Sequence, residues 1–254
     1  MDKITAYYNT RLGVDLGNLN HPISKLIHQA NNTTGIQKKQ IQQKLRMLGL
    51  ALMDIKAYDK NIYDFYLKKT INNADFSLNG FIFEIIQCSN LIRIAAEKSM
   101  QFKFGDHNKN EPDFIIDGCG LELTSIRFPE ESQKNNADSK LLNKFQDKNM
   151  KKYANPNSLL LIEITQPVHF ANQGVHNPYA RFDNLLKIIS EESHFGIVLC
   201  YVEYTVVADD NLLFRGTVYP AYGKTCTENV KDLFKKITNG EFNTFDGTQR
   251  ISKY

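Results

Sequence analysis

The stretch of sequence that decides the fold is Glu111-Pro-Asp-Phe-Ile-Ile-Asp-Gly-Cys-Gly-Leu-Glu-Leu-Thr-Ser-Ile-Arg127. It contains two short apolar runs, Phe114–Asp117 and Leu121–Ile126, which are separated by Gly118-Cys119-Gly120. Glycine between two runs rich in β-forming residues is typical of a hairpin turn. We therefore predict a β-hairpin that has these two runs as its strands.

Two carboxylates belong to this hairpin. Asp113 precedes the first strand and Glu122 lies early in the second, so the hairpin would hold both at one end. Mg²⁺ prefers oxygen ligands of this kind, and a bound Mg²⁺ can polarise a phosphodiester and activate water. The pair predicts a site for a divalent metal. The alternative is that Asp113 caps a turn, as Pro-Asp often does, and that Glu122 faces solvent on an edge strand.

A third carboxylate, Glu84, interrupts an apolar segment upstream of the hairpin. The segment from Gly80 to Lys98 has apolar residues at helical spacing, namely Phe81, Ile85, Cys88, Ile92 and Ala95. A carboxylate in such a helix is costly unless it is paired or bound to a cation. We expect Glu84 either to point at the metal site or to lie at the rim, near water or Arg93.

The order of the other segments predicts an α/β fold with a central mixed β-sheet flanked by helices. The run Ser158–Thr165 is apolar almost throughout, as expected for a strand covered on both faces. Residues 166–178, with His169 and His176, read as a loop. The remaining patterns predict strands at 102–104, 195–207 and 212–219, and helices at 138–153, 179–193 and 227–237.

The order helix, three strands, helix, strand, together with Pro112-Asp113 and Glu122-Leu123-Thr124, resembles the PD-(D/E)XK nuclease superfamily. The resemblance covers about residues 78–166, roughly a third of the chain. It implies a restriction-endonuclease-like core and metal-dependent hydrolysis of DNA phosphodiester bonds. Asp113 and Glu122 would bind Mg²⁺, which Mn²⁺ can replace. Glu84 would be an additional ligand or a base that orients water.

Thr124 departs from the superfamily pattern, which has lysine at this position. That lysine orients or deprotonates the attacking water and offsets charge on the phosphate. Threonine is neutral, although its hydroxyl could hold a water near the metal. A lysine from elsewhere could supply the charge, and the candidates are Lys103, Lys140 and Lys144.

Composition sets the outer limits of these interpretations. The chain has 254 residues, of which 42% are hydrophobic and 23% charged, as is ordinary for one large or two small globular domains. No apolar run approaches the ~20 residues that span a bilayer, and residues 1–8 lack the apolar core of a signal peptide. The cysteines have no metal-ligand spacing and suggest reduced thiols in a cytoplasmic protein; they are Cys88, Cys119, Cys200 and Cys226.

The net charge of +3 is small, but the lysines are clustered. One cluster lies between residues 133 and 155 and another between 35 and 46. Either could follow a phosphate backbone, or each could be a solvated helix face. We predict double-stranded DNA as the partner, with contacts from Lys140, Lys144, Lys148, Lys151, Lys38 and Lys39.

Three regions are expected. Residues 1–75 form a helical region packed on the core, residues 76–207 the nuclease-like core, and residues 208–254 an extension with a strand, a short helix and a polar tail. The first region could serve target recognition, dimerisation or cover for the sheet.

The predicted function is that of a metal-dependent endodeoxyribonuclease similar to stand-alone restriction enzymes, which work as homodimers. Two alternatives stay open. The chain could be a catalytically silent relative that binds nucleic acid or a protein partner, which Thr124 favours. It could also be an interaction module in which Glu84, Asp113 and Glu122 do not converge.

Overall fold

The computed structural model of the protein describes residues 1–72, 78–106, 109–128, 137–172, 179–208 and 211–238. Its helices are α1 (Asp2–Ala6), α2 (Pro22–Asn32), α3 (Gly35–Tyr58), α4 (Lys60–Asn72), α5 (Leu78–Glu97), α6 (Ala137–Asn149), α7 (Thr165–Asn172), α8 (Tyr179–Glu192) and α9 (Glu228–Ile237). A turn of π-helix follows α1 at Tyr7–Arg11. Its strands are β1 (Phe102–Phe104), β2 (Phe114–Ile116), β3 (Cys119–Ser125), β4 (Ser158–Glu163), β5 (Ile197–Ala208) and β6 (Asn211–Tyr222). The predicted α/β class with a mixed sheet is confirmed.

The chain divides into two compact units. The first contains residues 1–94 and 207–212, and the second contains residues 95–206 and 213–254. Most of α5 therefore belongs to the first unit, with the N-terminal helices. The predicted region boundary at residue 75, and the packing of that region on the core, stay predictions. In the part of the chain that the structure describes, no helix is long and apolar enough to cross a membrane.

Buried polar side chains connect the helices of the first unit. The Tyr8 hydroxyl donates to the Leu45 carbonyl at 2.6 Å. His21 Nδ1 accepts a hydrogen bond from the Ile23 N–H at the start of α2 (3.2 Å), and His21 Nε2 lies 2.9 Å from the Thr70 carbonyl. Because Nδ1 accepts, Nε2 carries the proton and donates. One imidazole thus joins the beginning of α2 to the end of α4.

The sheet has the strand order β1-β2-β3-β4-β5-β6. Strands β1, β2 and β3 are antiparallel, whereas β3, β4 and β5 are parallel. All six residues of β4 are buried, as predicted for a central strand. Helix α6 connects β3 to β4, and α7 and α8 connect β4 to β5. Both α6 and α8 pack on one sheet face through a cluster that includes Leu141, Phe145, Leu160, Ile162, Phe182 and Ile189.

The hairpin turn differs from the prediction. Ile116 pairs with Cys119, so the turn consists of Asp117 and Gly118, both with positive φ (49° and 77°). Two positive φ values define the type I′ turn, which matches the twist of the flanking strands. The predicted turn Gly118-Cys119-Gly120 was wrong, because Cys119 and Gly120 belong to β3.

Gly105 holds the Pro112-Asp113 segment close to the end of β1. Its N–H donates to the Asp113 carbonyl at 3.0 Å. A Cβ atom at position 105 would lie 1.7 Å from the backbone oxygen of Pro112, so only glycine permits this approach. The position of Asp113 therefore depends on the absence of a side chain at residue 105.

Gly105→Ala is expected to destabilise the protein by about 2–3 kcal/mol, since the backbone of Pro112 must move away. Urea unfolding gives the difference in free energy. Gly17→Ala is the control, because a Cβ there meets only Asp15 Oδ1, at 3.2 Å on a movable side chain. Equal unfolding midpoints for the two variants would show that the segment is not held in this way.

Candidate active site

Asp113 and Glu122 are brought together by reciprocal hydrogen bonds. The Asp113 N–H donates to Glu122 Oε2 at 3.2 Å, and the Leu123 N–H donates to Asp113 Oδ2 at 2.7 Å. The backbone beside each carboxylate therefore holds the other carboxylate in place. Glu122 does not face solvent, because only 4% of the residue is exposed. The hairpin fixes both side chains at one point of a rigid scaffold.

Helix α6 and the loop after it complete the surroundings of Glu122. Lys148, in the last turn of α6, forms an ion pair with Glu122 Oε1. The Tyr153 hydroxyl donates to the same oxygen at 2.8 Å. A buried carboxylate is costly unless donors replace its water. Glu122 has three such donors, one of which carries a positive charge.

Both carboxylates affect the pKa of the Tyr153 phenol. Burial raises the pKa of the Tyr153 phenol, and the charge of Glu122, its hydrogen bond and the charge of Asp113 raise that pKa further. A negative neighbour disfavours the phenolate, because the two charges repel. The phenol therefore stays protonated and remains a donor to Glu122 at neutral pH.

Glu122→Gln is expected to lower the pKa of Tyr153, because the repelling charge is lost while the burial remains. The absorbance of phenolate at 295 nm between pH 9 and 12 measures this, with Tyr153→Phe to assign the transition. The transition assigned to Tyr153 should therefore lie at a lower pH in the variant than in the wild type. Superimposable curves for the wild-type and Glu122→Gln proteins would contradict the proposed contact.

The two carboxylates at this site, Asp113 and Glu122, are suitable ligands for a hard divalent cation. Mg²⁺ is commonly held by one or two carboxylates and completes its shell with water. Glu122 accepts three hydrogen bonds, and a carboxylate offers about four acceptor positions, so coordination remains open to it. Within the described residues, no group of three or more His, Cys, Asp or Glu side chains is arranged to hold a metal. The protein ligands that this arrangement offers are Asp113 and Glu122.

Glu84 lies on α5, in the first compact unit, whereas Asp113 and Glu122 belong to the second. Glu84 Oε1 accepts a hydrogen bond from the Tyr66 hydroxyl at 2.9 Å, which helps to satisfy a carboxylate within an apolar helix. Arg93, considered as a neighbour of Glu84, forms an ion pair with Asp54 at 2.6 Å. The role of Glu84 as a ligand or base stays a prediction.

Thr124 is half-buried and lies on the same sheet face as Glu122, because these residues pair with Ile162 and Leu160 of β4. That face is the one covered by α6.

The lysine that contacts Glu122 is Lys148, which was predicted only as a DNA contact. It lies three residues after buried Phe145, so the helical period places it beside the buried stripe of α6.

The three lysines considered as substitutes occupy other places. Lys103 is exposed on β1, and Lys144 is half-buried on α6. Lys140 Nζ donates to the Arg127 carbonyl at 2.5 Å and lies 4.3 Å from the ring centroid of Phe128. Burial lowers the pKa of Lys140, with a smaller contribution from Lys144.

The other lysines predicted to contact DNA are surface residues of both units. Lys38 is half-buried and Lys39 exposed on α3 in the first unit, and Lys151 is exposed just after α6 in the second. Lys140 and Lys148 have protein partners at their ammonium groups. Contact of any of these lysines with DNA stays a prediction.

A second buried carboxylate, Glu163, lies at the end of β4 and is 2% exposed. Its Oε2 atom forms an ion pair with Arg127, and its Oε1 atom accepts the Thr165 N–H at the start of α7 (3.0 Å). Glu163 pairs with Ser125 across the sheet, on the face opposite Glu122. The ion pair with Arg127 balances the charge of this buried acid, which indicates a structural role.

Comparisons with protein-family models, with curated protein sequences and with solved structures give no match. Of the predicted site residues, Asp113, Glu122 and Lys148 are in direct contact, and Tyr153 joins them. These four residues form the candidate active site.

Proposed function

We propose that this protein is a metal-dependent endodeoxyribonuclease that hydrolyses phosphodiester bonds, with Asp113 and Glu122 as the ligands of Mg²⁺ or Mn²⁺. The observation that carries the proposal is the reciprocal hydrogen bonding of these two carboxylates on one hairpin. The order of α5, β1–β3, α6 and β4 supports it, because the same order is expected of a restriction-endonuclease-like core. So does the change from antiparallel to parallel pairing at β3.

Each residue of the site would have a separate role in phosphodiester hydrolysis. Asp113 and Glu122 hold the cation, and the Asp113 N–H and the Tyr153 hydroxyl orient Glu122. Lys148 offers a positive charge within reach of a phosphate bound at the carboxylates, the role that lysine has in the superfamily pattern. The Thr124 hydroxyl, on the same face, can orient a water. The cation, when bound, polarises the phosphoryl group and makes the attacking water more acidic.

The partner and setting are part of the same proposal. Double-stranded DNA would lie along the lysines near the site, and a role for Glu84 as a third ligand or a base stays a prediction. Restriction-type enzymes of this size cut both strands as homodimers, so a homodimer is the assembly that we propose. The four cysteines are free thiols, which agrees with the proposed cytoplasmic setting.

Cleavage of supercoiled plasmid and of linear duplex DNA, with Mg²⁺ or Mn²⁺, tests the proposal. Wild type, Asp113→Ala and Glu122→Ala are compared, with circular dichroism to establish that each variant is folded. Discrete fragments that disappear in both variants and in EDTA are the expected result. Cleavage that persists unchanged in folded Asp113→Ala protein would contradict the assignment of the site.

A second candidate is a catalytically silent relative that binds DNA or a protein partner. Two observations favour it: Thr124 replaces the lysine of the pattern, and Lys148 already neutralises Glu122. It predicts DNA binding in a gel-shift assay without cleavage under any metal. The third interpretation, an interaction module with a coincidental motif, predicts that Glu84, Asp113 and Glu122 do not converge. The contact between Asp113 and Glu122 counts against it, and the place of Glu84 stays a prediction.

A further inference from the structure

The positive charge at Glu122 comes from the protein itself. Lys148 Nζ contacts Glu122 Oε1, the atom that also accepts from Tyr153. Only 5% of the Glu122 side chain and 23% of the Lys148 side chain are exposed, so solvent screens this pair weakly. The two partners differ in mobility. Glu122 lies on a central strand, whereas Lys148 has a flexible four-carbon stem at the end of a helix.

We propose that Lys148 is a resident cation that a divalent metal must displace from Glu122. The inference rests on the proposed function, which places the metal at Asp113 and Glu122. A divalent ion that coordinates Glu122 at its remaining acceptor position brings a second positive charge close to the Lys148 ammonium group, and two like charges in a poorly screened site repel strongly. Metal binding therefore releases Lys148 from Glu122.

After its release, the Lys148 side chain remains attached to α6 beside Asp113 and Glu122. A phosphate bound at the cation would then be available as an acceptor for its ammonium group. Lys148 would thus keep Glu122 neutralised before the metal arrives and would offset phosphate charge afterwards. Tyr153 needs no such exchange, because its neutral hydroxyl can donate to a carboxylate whether or not that carboxylate also binds a metal.

If this exchange occurs, removing the charge of Lys148 should raise the affinity for Mn²⁺ and lower the rate of DNA cleavage. Lys148→Met removes the competing cation, so Mn²⁺ should bind about tenfold more tightly or better, as expected when a close like charge is removed. The same variant loses the charge that acts on the phosphate, so its cleavage rate should fall. A purely structural role for Lys148 would weaken metal binding and cleavage together.

Isothermal titration with Mn²⁺ in the absence of DNA measures the first quantity. The full-length wild type is compared with Lys148→Met, with Lys148→Arg and with Lys152→Met. Arginine keeps the competing charge, so the affinity of Lys148→Arg for Mn²⁺ should not exceed that of the wild type. Lys152 is exposed four residues after Lys148 and is the control, whose substitution should leave Mn²⁺ affinity unchanged.

A second measurement uses the wild type alone and does not depend on the folding of a variant. Amine labelling with acetic anhydride, read residue by residue by mass spectrometry, reports the accessibility of Lys148. The ion pair should protect Lys148 without metal, and saturating Mg²⁺ should raise its labelling severalfold. Labelling of Lys151, exposed nearby, should not change.

The outcomes separate this inference from the proposed function. Unchanged or weaker Mn²⁺ binding by folded Lys148→Met, in a protein that still cleaves DNA with Mg²⁺, would overturn the exchange and leave the nuclease assignment standing. Labelling of Lys148 that Mg²⁺ does not alter would overturn it as well. If neither wild type nor Lys148→Met binds a divalent ion, both proposals fail.

Discussion

Asp113→Asn is expected to lower the rate of Mg²⁺-dependent DNA cleavage on the order of 10³-fold, or about 4 kcal/mol of transition-state stabilisation. The amide cannot supply the negative charge that holds the cation. Its carbonyl oxygen can still accept the Leu123 N–H, which donates to Asp113 Oδ2 at 2.7 Å. The substitution therefore removes a charge and leaves the hydrogen bond and the shape of the side chain.

Asp117→Asn is the matched control for this experiment. Asp117 lies in the turn of the same hairpin, where it accepts the Gln101 N–H at 2.9 Å and pairs with Lys236 at 3.2 Å. Asparagine tolerates its positive φ. We expect nearly wild-type cleavage from Asp117→Asn. Equal losses in the two variants would mean that the hairpin's stability, rather than the charge of Asp113, is what cleavage requires.

Glu122→Gln tests less directly whether cleavage requires the negative charge of the carboxylates. Glu122 accepts from donors at both of its oxygens, since the Asp113 N–H donates to Oε2 while Lys148 and Tyr153 donate to Oε1. A glutamine must turn its NH₂ group toward one of these sets, and two donors then face each other. Loss of cleavage in this variant would combine lost charge with lost stability.

Arg127→Met is expected to destabilise the protein by about 3–5 kcal/mol, because it leaves the buried charge of Glu163 without its counter-ion. The Arg127 and Glu163 side chains are 17% and 3% exposed, so little water can replace the guanidinium. Urea unfolding measures the loss. The double variant Arg127→Met/Glu163→Gln should recover most of it, because a neutral amide needs no counter-ion and can still accept the Thr165 N–H.

The exposed pair Arg93–Asp54 provides the comparison. These side chains are 58% and 34% exposed, and ion pairs at such positions contribute less than about 1 kcal/mol. Arg93→Met should therefore change stability far less than Arg127→Met. A small effect of Arg127→Met, or a double variant no more stable than the single one, would show that Glu163 does not depend on Arg127.

The strands and most helices could be predicted because their apolar spacing is strong. Strand β4 was recognised from a continuous apolar run, and it is buried along its whole length. The hairpin was recognised too, but its turn was misplaced, since both Gly118 and Gly120 look like turn residues. Gly120 has another reason to be glycine: its Cβ would lie 3.0 Å from Pro112 Cγ and 3.2 Å from Ser158 Cβ.

Residues 166–178 were predicted as a loop, and the first part of that segment is helical. Helix α7 begins at Thr165, whose N–H bonds to Glu163 Oε1. Pro167 lies in its first turn, where a missing N–H costs nothing. The proline is therefore compatible with the start of a helix. His169 lies on α7, and His176 lies outside the described residues.

The composition of the candidate site was predictable only in part. The two carboxylates of the hairpin are local in sequence, so the pattern alone indicated that they would meet. Lys148 and Tyr153 reach Glu122 across 26 and 31 residues. Their approach depends on how α6 crosses the sheet, which no local pattern encodes. Helical spacing could have placed Lys148 near the buried stripe but could not have named its partner.

The central claim is that Asp113 and Glu122 bind a divalent metal, and a titration of the metal-free protein with Mn²⁺ tests it most directly. Binding is detected by calorimetry and by the electron paramagnetic resonance signal of free Mn²⁺. Unlike cleavage, it does not require the right DNA sequence. The account predicts saturable binding to the wild type and to Asp117→Asn, and loss of that binding in Asp113→Asn. Saturable binding that survives unchanged in Asp113→Asn, or its absence from the folded wild type, would contradict a metal site at this hairpin.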